Sequence, residues 1–177
     1  MDFARLEKNI IDVIKEEQAK LGYRKESIRL YYPLSSLVHL TGENLGEQEM
    51  LALLSEFGEE TKEHLGGVTV TAKKDRFCFL IPEEGVVYVK EHTSPNEFIH
   101  DLVNLVGTHG CTMDEIKALF EKQPWPVTVE PVNNEEFDIL IRFGEGADDP
   151  YYYCFKDEGC HIIYHRFLPE DYADFGF

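Results

Sequence analysis

The spacing of apolar residues switches repeatedly along this chain between the 3.6-residue period of a helix and the two-residue period of a strand, and the order of those switches limits the fold more than any single residue does. Phe3, Leu6, Ile10, Val13, Ile14 and Leu21 recur at steps of three and four, which predicts an amphipathic helix over 2–21 with Gly22 as its stop. Ile28, Leu30 and Tyr32 then alternate as a short strand until Pro33, and Leu34, Leu37, Val38 and Leu40 predict a short buried helix that ends at Gly42.

Asn44 with Glu47 three residues later reads as a cap for a helix whose apolar face is Met50, Leu51, Leu54 and Phe57, running to about His64 and closed by Gly66-Gly67. From Val68 the period is two. Val68, Val70 and Ala72, then Phe77, Phe79 and Ile81, then Val86 and Tyr88 predict three short strands in an antiparallel meander, with breaks at Lys74-Asp75 and Glu83-Glu84-Gly85. Ser94-Pro95-Asn96-Glu97 opens a helix striped by Phe98, Ile99, Leu102, Val103 and Val106. A second capping arrangement, Thr112 to Glu115, opens a helix carrying Ile116, Leu119 and Phe120, which Pro124-Trp125-Pro126 ends. The remainder reads as strands at 127–132, 137–143, 151–155 and 160–167, with a hairpin turn at Asp157-Glu158-Gly159.

Helices, then strands, then two helices, then strands is not the alternation that winds a parallel sheet, so the expected class is α+β with antiparallel sheet. At 177 residues, with 43% hydrophobic and 12% aromatic residues, the chain can bury a sizeable core, and one domain over 1–177 is expected. Charges interleave through Met1 to Lys8 where an export signal needs an apolar stretch, and no run approaches the roughly 18 apolar residues of a membrane span. Cys78, Cys111, Cys154 and Cys160 then fit reduced thiols, and a cytoplasmic location with no membrane partner follows as the expectation.

The net charge of −17 repels polyanions. Residues 1–40 are the near-neutral part, with seven basic and six acidic residues, and their cations cluster at Arg24, Lys25 and Arg29. Three cations are few for counterion release from nucleic acid, so no nucleic-acid partner is expected. Beside Tyr31, Tyr32, Ser35, Ser36 and His39 they form a candidate site for a small anion, against the plainer reading in which they pair with the acidic body.

The stretch Leu21-Gly22-Tyr23-Arg24-Lys25-Glu26-Ser27-Ile28-Arg29-Leu30-Tyr31-Tyr32-Pro33-Leu34 resembles the start of a bacterial family catalogued as domain of unknown function 3877, and the likeness covers the whole chain. The resemblance implies a stand-alone bacterial cytoplasmic protein and brings no activity, ligand or catalytic residue with it.

Four further constellations bear on chemistry. Cys154, Cys160, His161 and His165 are zinc-ligand types within twelve residues, but in a strand Cys160 and His161 point to opposite faces, so no metal is expected. Cys111 stands just ahead of a capped helix whose dipole would favour a thiolate, with His109 nearby; a small apolar filler is the plainer reading. The helices at 96–106 and 112–122 have the outline of a helix-turn-helix, yet the second presents Asp114, Glu115 and Glu121 where base recognition needs donors. The Glu145-to-Pro150 loop lacks calcium-loop spacing and reads as a solvated turn. Aromatic residues interleave with carboxylates from Phe167 to Phe177, which predicts a docked rather than free terminus.

No phosphate loop, dinucleotide fingerprint, HExxH or GxSxG is present. The expected function is therefore a non-catalytic binding or protein-interaction module without a cofactor, as monomer or homodimer, with an unknown protein or small molecule as partner. The alternative is a small-molecule enzyme using His161, His165 or Cys111.

Overall fold

In a computed structural model, residues 3–132 and 134–174 are described. They form eight helices and two antiparallel sheets, as the α+β expectation requires. The chain gathers into two compact units, Met1–Glu97 and Phe98–Phe177.

In the first unit, helix α1 (Ala4–Leu21) leads through a loop into strand β1 (Ile28–Pro33), which passes directly into helix α2 (Leu34–Thr41). Gly42 ends α2 in the left-handed conformation, donating its N–H to the Val38 carbonyl. Helix α3 (Glu47–Glu60) is capped at Gly46 rather than Asn44, because the Glu49 carboxylate reaches back 3.1 Å to the Gly46 N–H. Thr61 separates it from the single-turn helix α4 (Lys62–Leu65), and strands β2 (Thr69–Lys73) and β3 (Arg76–Ile81) follow as a hairpin.

The third strand expected at Val86–Tyr88 is instead helix α5 (Glu83–His92). Val86 and Val89 are both buried and lie three apart, Glu83 and Glu84 occupy the first turn, and Lys90 and His92 occupy the last, so burial and the helix dipole agree on a helix. A side chain at Gly85 would run into the Leu65 carbonyl, which makes glycine the residue that lets α5 pack so near α4. The third place in the sheet is taken by β1. The strand order is β1-β3-β2, with Ile28 opposite Ile81 and Thr69 opposite Leu80.

One face of this sheet is the core. Leu30, Tyr32, Phe77, Phe79 and Ile81 point inward with Leu6, Ile10 and Ile14 of α1, Leu37 of α2 and Phe57 of α3, all of them buried. Tyr32 meets Phe79 edge-on at 5.1 Å and donates its hydroxyl to Asn9 Oδ1 at 2.8 Å, so its buried polar tip is satisfied.

The second unit opens with helices α6 (Glu97–Val106) and α7 (Met113–Glu121), the latter capped by Thr112 and Glu115 as expected. Strands β4 (Val127–Pro131), β5 (Ile139–Phe143), β6 (Tyr152–Asp157) and β7 (Ile162–Phe167) form a four-stranded antiparallel meander in chain order. Phe98 packs edge-on against Phe143 and Tyr153, and Phe120 edge-on against Tyr153 and tilted against Phe143, at 5.1–5.8 Å across one face of that sheet. On the other face Phe137, Leu140 and Cys154 are covered by Val132, Tyr152, Phe167 and Tyr172. Tyr172 belongs to the last helix, α8 (Pro169–Asp174), and its ring lies 5.5 Å from that of Tyr152, so this part of the C-terminal segment docks on its own sheet. Phe175 and Phe177 lie outside the described residues. Among the described residues no helix is long and apolar enough to cross a membrane.

Candidate functional site

Strand alternation that buries Leu30, Tyr32, Phe77 and Phe79 must turn their neighbours outward. The pairing register sets those neighbours in three rows across the outer face: Arg29, Leu80 and Thr69; Tyr31, Cys78 and Thr71; Pro33, Arg76 and Lys73. Tyr31 is 64% exposed, unusually open for so large a ring. The last row is closed by the two-residue turn Lys74-Asp75, whose first residue takes the left-handed φ of 60°. The Asp75 carbonyl accepts from Leu34 N–H at 2.8 Å, tying the hairpin tip to the start of α2.

The face ends in an open hollow of about 580 Å³ lined by Tyr31, Thr71, Lys73, Lys74, Arg76 and Cys78, with Asp75 its one carboxylate. That volume lies in the range of about 300–1,000 Å³ that ligand sites occupy. Arg29, Lys73, Lys74 and Arg76 make no ion pair among the described residues. In a chain of net charge −17, Lys73, Lys74 and Arg76 outnumber Asp75 at this hollow, and Arg29 stands two rows away on the same face. The arrangement can accept carboxylates or phosphates; it holds no paired nucleophile and base.

The expected anion cluster separates. Arg24 lies 3.6 Å from Glu26, and Lys25 lies 3.8 Å from Glu83, so both follow the plainer reading of pairing with carboxylates. Arg29 alone reaches the outer face, where Tyr31 joins it, while Tyr32 and Ser36 are buried. Lys73, Lys74 and Arg76 did not figure in that cluster. Their signal was present, since three of the ten basic residues of 41–177 fall within four positions.

The zinc-type residues are dispersed. Cys160 and His161 lie in the turn before β7 rather than in the strand, Cys160 Sγ standing 3.1 Å from His161 Nδ1. His165 projects from β7 against the rings of Phe137 and Phe167, about 13 Å along the extended chain from His161. Cys154 faces His165 across the ladder, but burial pushes its thiol up to about 12, which keeps it protonated and a poor ligand. Cys111 is likewise pushed up, first by burial and then by the charges of Glu115 and Asp157. The helix end that was to favour its thiolate is already occupied, because Glu115 accepts from the Thr112 N–H at 2.8 Å. His161, His165 and Cys111 line neither the hollow beside Tyr31 nor the smaller one beside Arg29.

No curated protein and no solved structure matches this chain. A family described as a domain of unknown function, from an E. rectale gene description, matches residues 3–176, which is nearly the whole length. The expected resemblance is thereby established, and the chain belongs to that bacterial family, domain of unknown function 3877.

Proposed function

We propose that the protein is a non-catalytic binding module of the bacterial cytoplasm that takes an acidic protein segment on the outer face of its N-terminal sheet. The observation that carries this reading is the set of four cations, Arg29, Lys73, Lys74 and Arg76, that make no ion pair among the described residues of a strongly acidic chain. Lys73, Lys74 and Arg76 about a concave, largely apolar surface, with Arg29 farther along the same face, are the electrostatic complement of carboxylates.

Length of the ligand decides between polyanions. At physiological ionic strength charges more than about 8 Å apart are largely screened, so a short segment feels the patch, whereas a duplex extends past it onto the acidic body. Duplex DNA is accordingly no partner in this reading. Single-stranded nucleic acid is disfavoured because stacking platforms use several rings and this face exposes Tyr31 alone. The enzyme alternative loses support from the raised thiol of Cys111, which is the wrong direction for a nucleophile.

Fluorescence anisotropy with a short glutamate-rich peptide tests the reading. Reversing two charges in Lys73→Glu/Arg76→Glu should weaken binding at least about tenfold, or about 1.4 kcal/mol, with the far-UV circular dichroism unchanged. Equal affinity in the two proteins would remove this face from the function. Charge alone leaves the association weak: exposed pairs contribute about 0.2–1 kcal/mol each, so four of them reach at most the roughly 4 kcal/mol of millimolar binding.

A further inference from the structure

We propose that the acidic segment joins the N-terminal sheet as an added strand along β2, with carboxylates and apolar residues alternating along it. This inference rests on the reading of the outer face as an anionic-partner surface.

The order β1-β3-β2 makes β2 an edge, paired on one side only. A two-residue turn makes Lys73 and Arg76 a hydrogen-bonded pair, and in an antiparallel ladder such pairs alternate with pairs whose N–H and C=O groups point away. Val70 and Ala72 therefore direct their backbone groups outward. Among the described residues no hydrogen bond from outside the sheet reaches Val70, Thr71 or Ala72. Native edges are usually blunted by proline, bulges or charge. β1 ends in Pro33, which has no N–H, whereas β2 contains no proline and runs in unbroken register over five residue pairs with Lys73 as its one charge.

The side chains of β2 specify what would lie beside them. Thr69, Thr71 and Lys73 are exposed on the outer face, next to Arg76, so the outward residues of an added strand meet hydroxyls and cations and are best served by aspartate or glutamate. Val70 and Ala72 are half-buried on the other face, so the intervening residues meet apolar surface. Backbone hydrogen bonds would hold the segment in place, and the alternate side chains would select its sequence, as in other strand-addition complexes. An oligonucleotide has no regular N–H and C=O ladder to offer this edge.

The test keeps the protein unaltered and changes the ligand. Two peptides of alternating glutamate and valine are compared by anisotropy, one of them N-methylated at alternate amides so that its charges remain but its ladder donors are lost. The unmodified peptide should bind at least tenfold more tightly and should slow amide hydrogen exchange at Val70 and Ala72. If both peptides bind equally and exchange is unchanged, strand addition is wrong while the anionic-partner reading stands. If neither binds, both fall. If a single-stranded oligonucleotide of equal charge binds more tightly than either peptide, the partner is nucleic acid and the strand proposal is overturned.

Discussion

Lys74 holds φ at 60°, a conformation that a residue with a Cβ adopts at a cost of order 1–3 kcal/mol. Glycine or asparagine would sit there with less strain, yet the position carries a cation at the rim of the hollow. Lys74→Gly is expected to raise stability by about 1 kcal/mol in denaturant unfolding while lowering affinity for the acidic peptide. A variant that gains stability and binds as tightly would place Lys74 outside the recognition surface. At this scale the sequence was legible wherever periodicity decided the direction of a side chain. Arg29 and Tyr31 could be set outward because Ile28, Leu30 and Tyr32 alternate with them, but alternation cannot reveal which strand lies alongside. The rows joining Arg29 to Thr69 and Tyr31 to Thr71 depend on β3 lying between β1 and β2, and that neighbour relation spans some forty residues of chain.

Among the elements, the hairpins depend on clamps that periodicity does not display. Asp138, just ahead of β5, accepts the Asp157 N–H at 2.8 Å and the Lys156 ammonium at 3.2 Å, fixing the start of one strand to the end of the next. The Asp157 N–H does most to hold its carboxyl below the usual range; burial opposes this, and Lys156 assists. A carboxyl with a depressed folded pKa binds its proton more tightly in the unfolded chain. Its contribution is therefore present above the ordinary aspartate range near pH 4 and is lost as pH falls through the folded value. Asp138→Asn should cost on the order of 1 kcal/mol at neutral pH and flatten the acid limb of the stability curve. An acid limb as steep as that of the unaltered protein would show that this carboxylate is not coupled to folding. The one expected element that changed type, Val86–Tyr88, fails for a related reason. Two alternating apolar residues fit either period, and it was the carboxylates at one end and the cations at the other, with Val89 one turn on, that decided for α5. The expected reach of a strand through Cys160 and His161 failed because the turn needs those residues, Gly159 alone supplying the positive φ of 86°.

For the whole molecule, with its net charge of −17, salt acts on two processes with opposite signs. Folding brings like charges together, so their repulsion destabilises the compact state, and added salt relieves it. Binding of an acidic segment brings unlike charges together at Arg29, Lys73, Lys74 and Arg76, and the same salt weakens it. Raising ionic strength from about 0.15 M to about 1 M shortens the screening length from roughly 8 Å to roughly 3 Å. Over that range the melting temperature should rise by a few degrees while peptide affinity falls. Calorimetry on one sample reads the stability half and also tests the proposal of a single domain over 1–177, which requires one endotherm; two resolved endotherms would make Met1–Glu97 and Phe98–Phe177 separate domains. If affinity and stability rise together with salt, the peptide is held by apolar burial rather than charge, and the four cations are a solvated face. If both fall, the acidic residues are paired strongly enough that the formal charge overstates the repulsion, and the acidic body no longer restricts this face to short anionic segments.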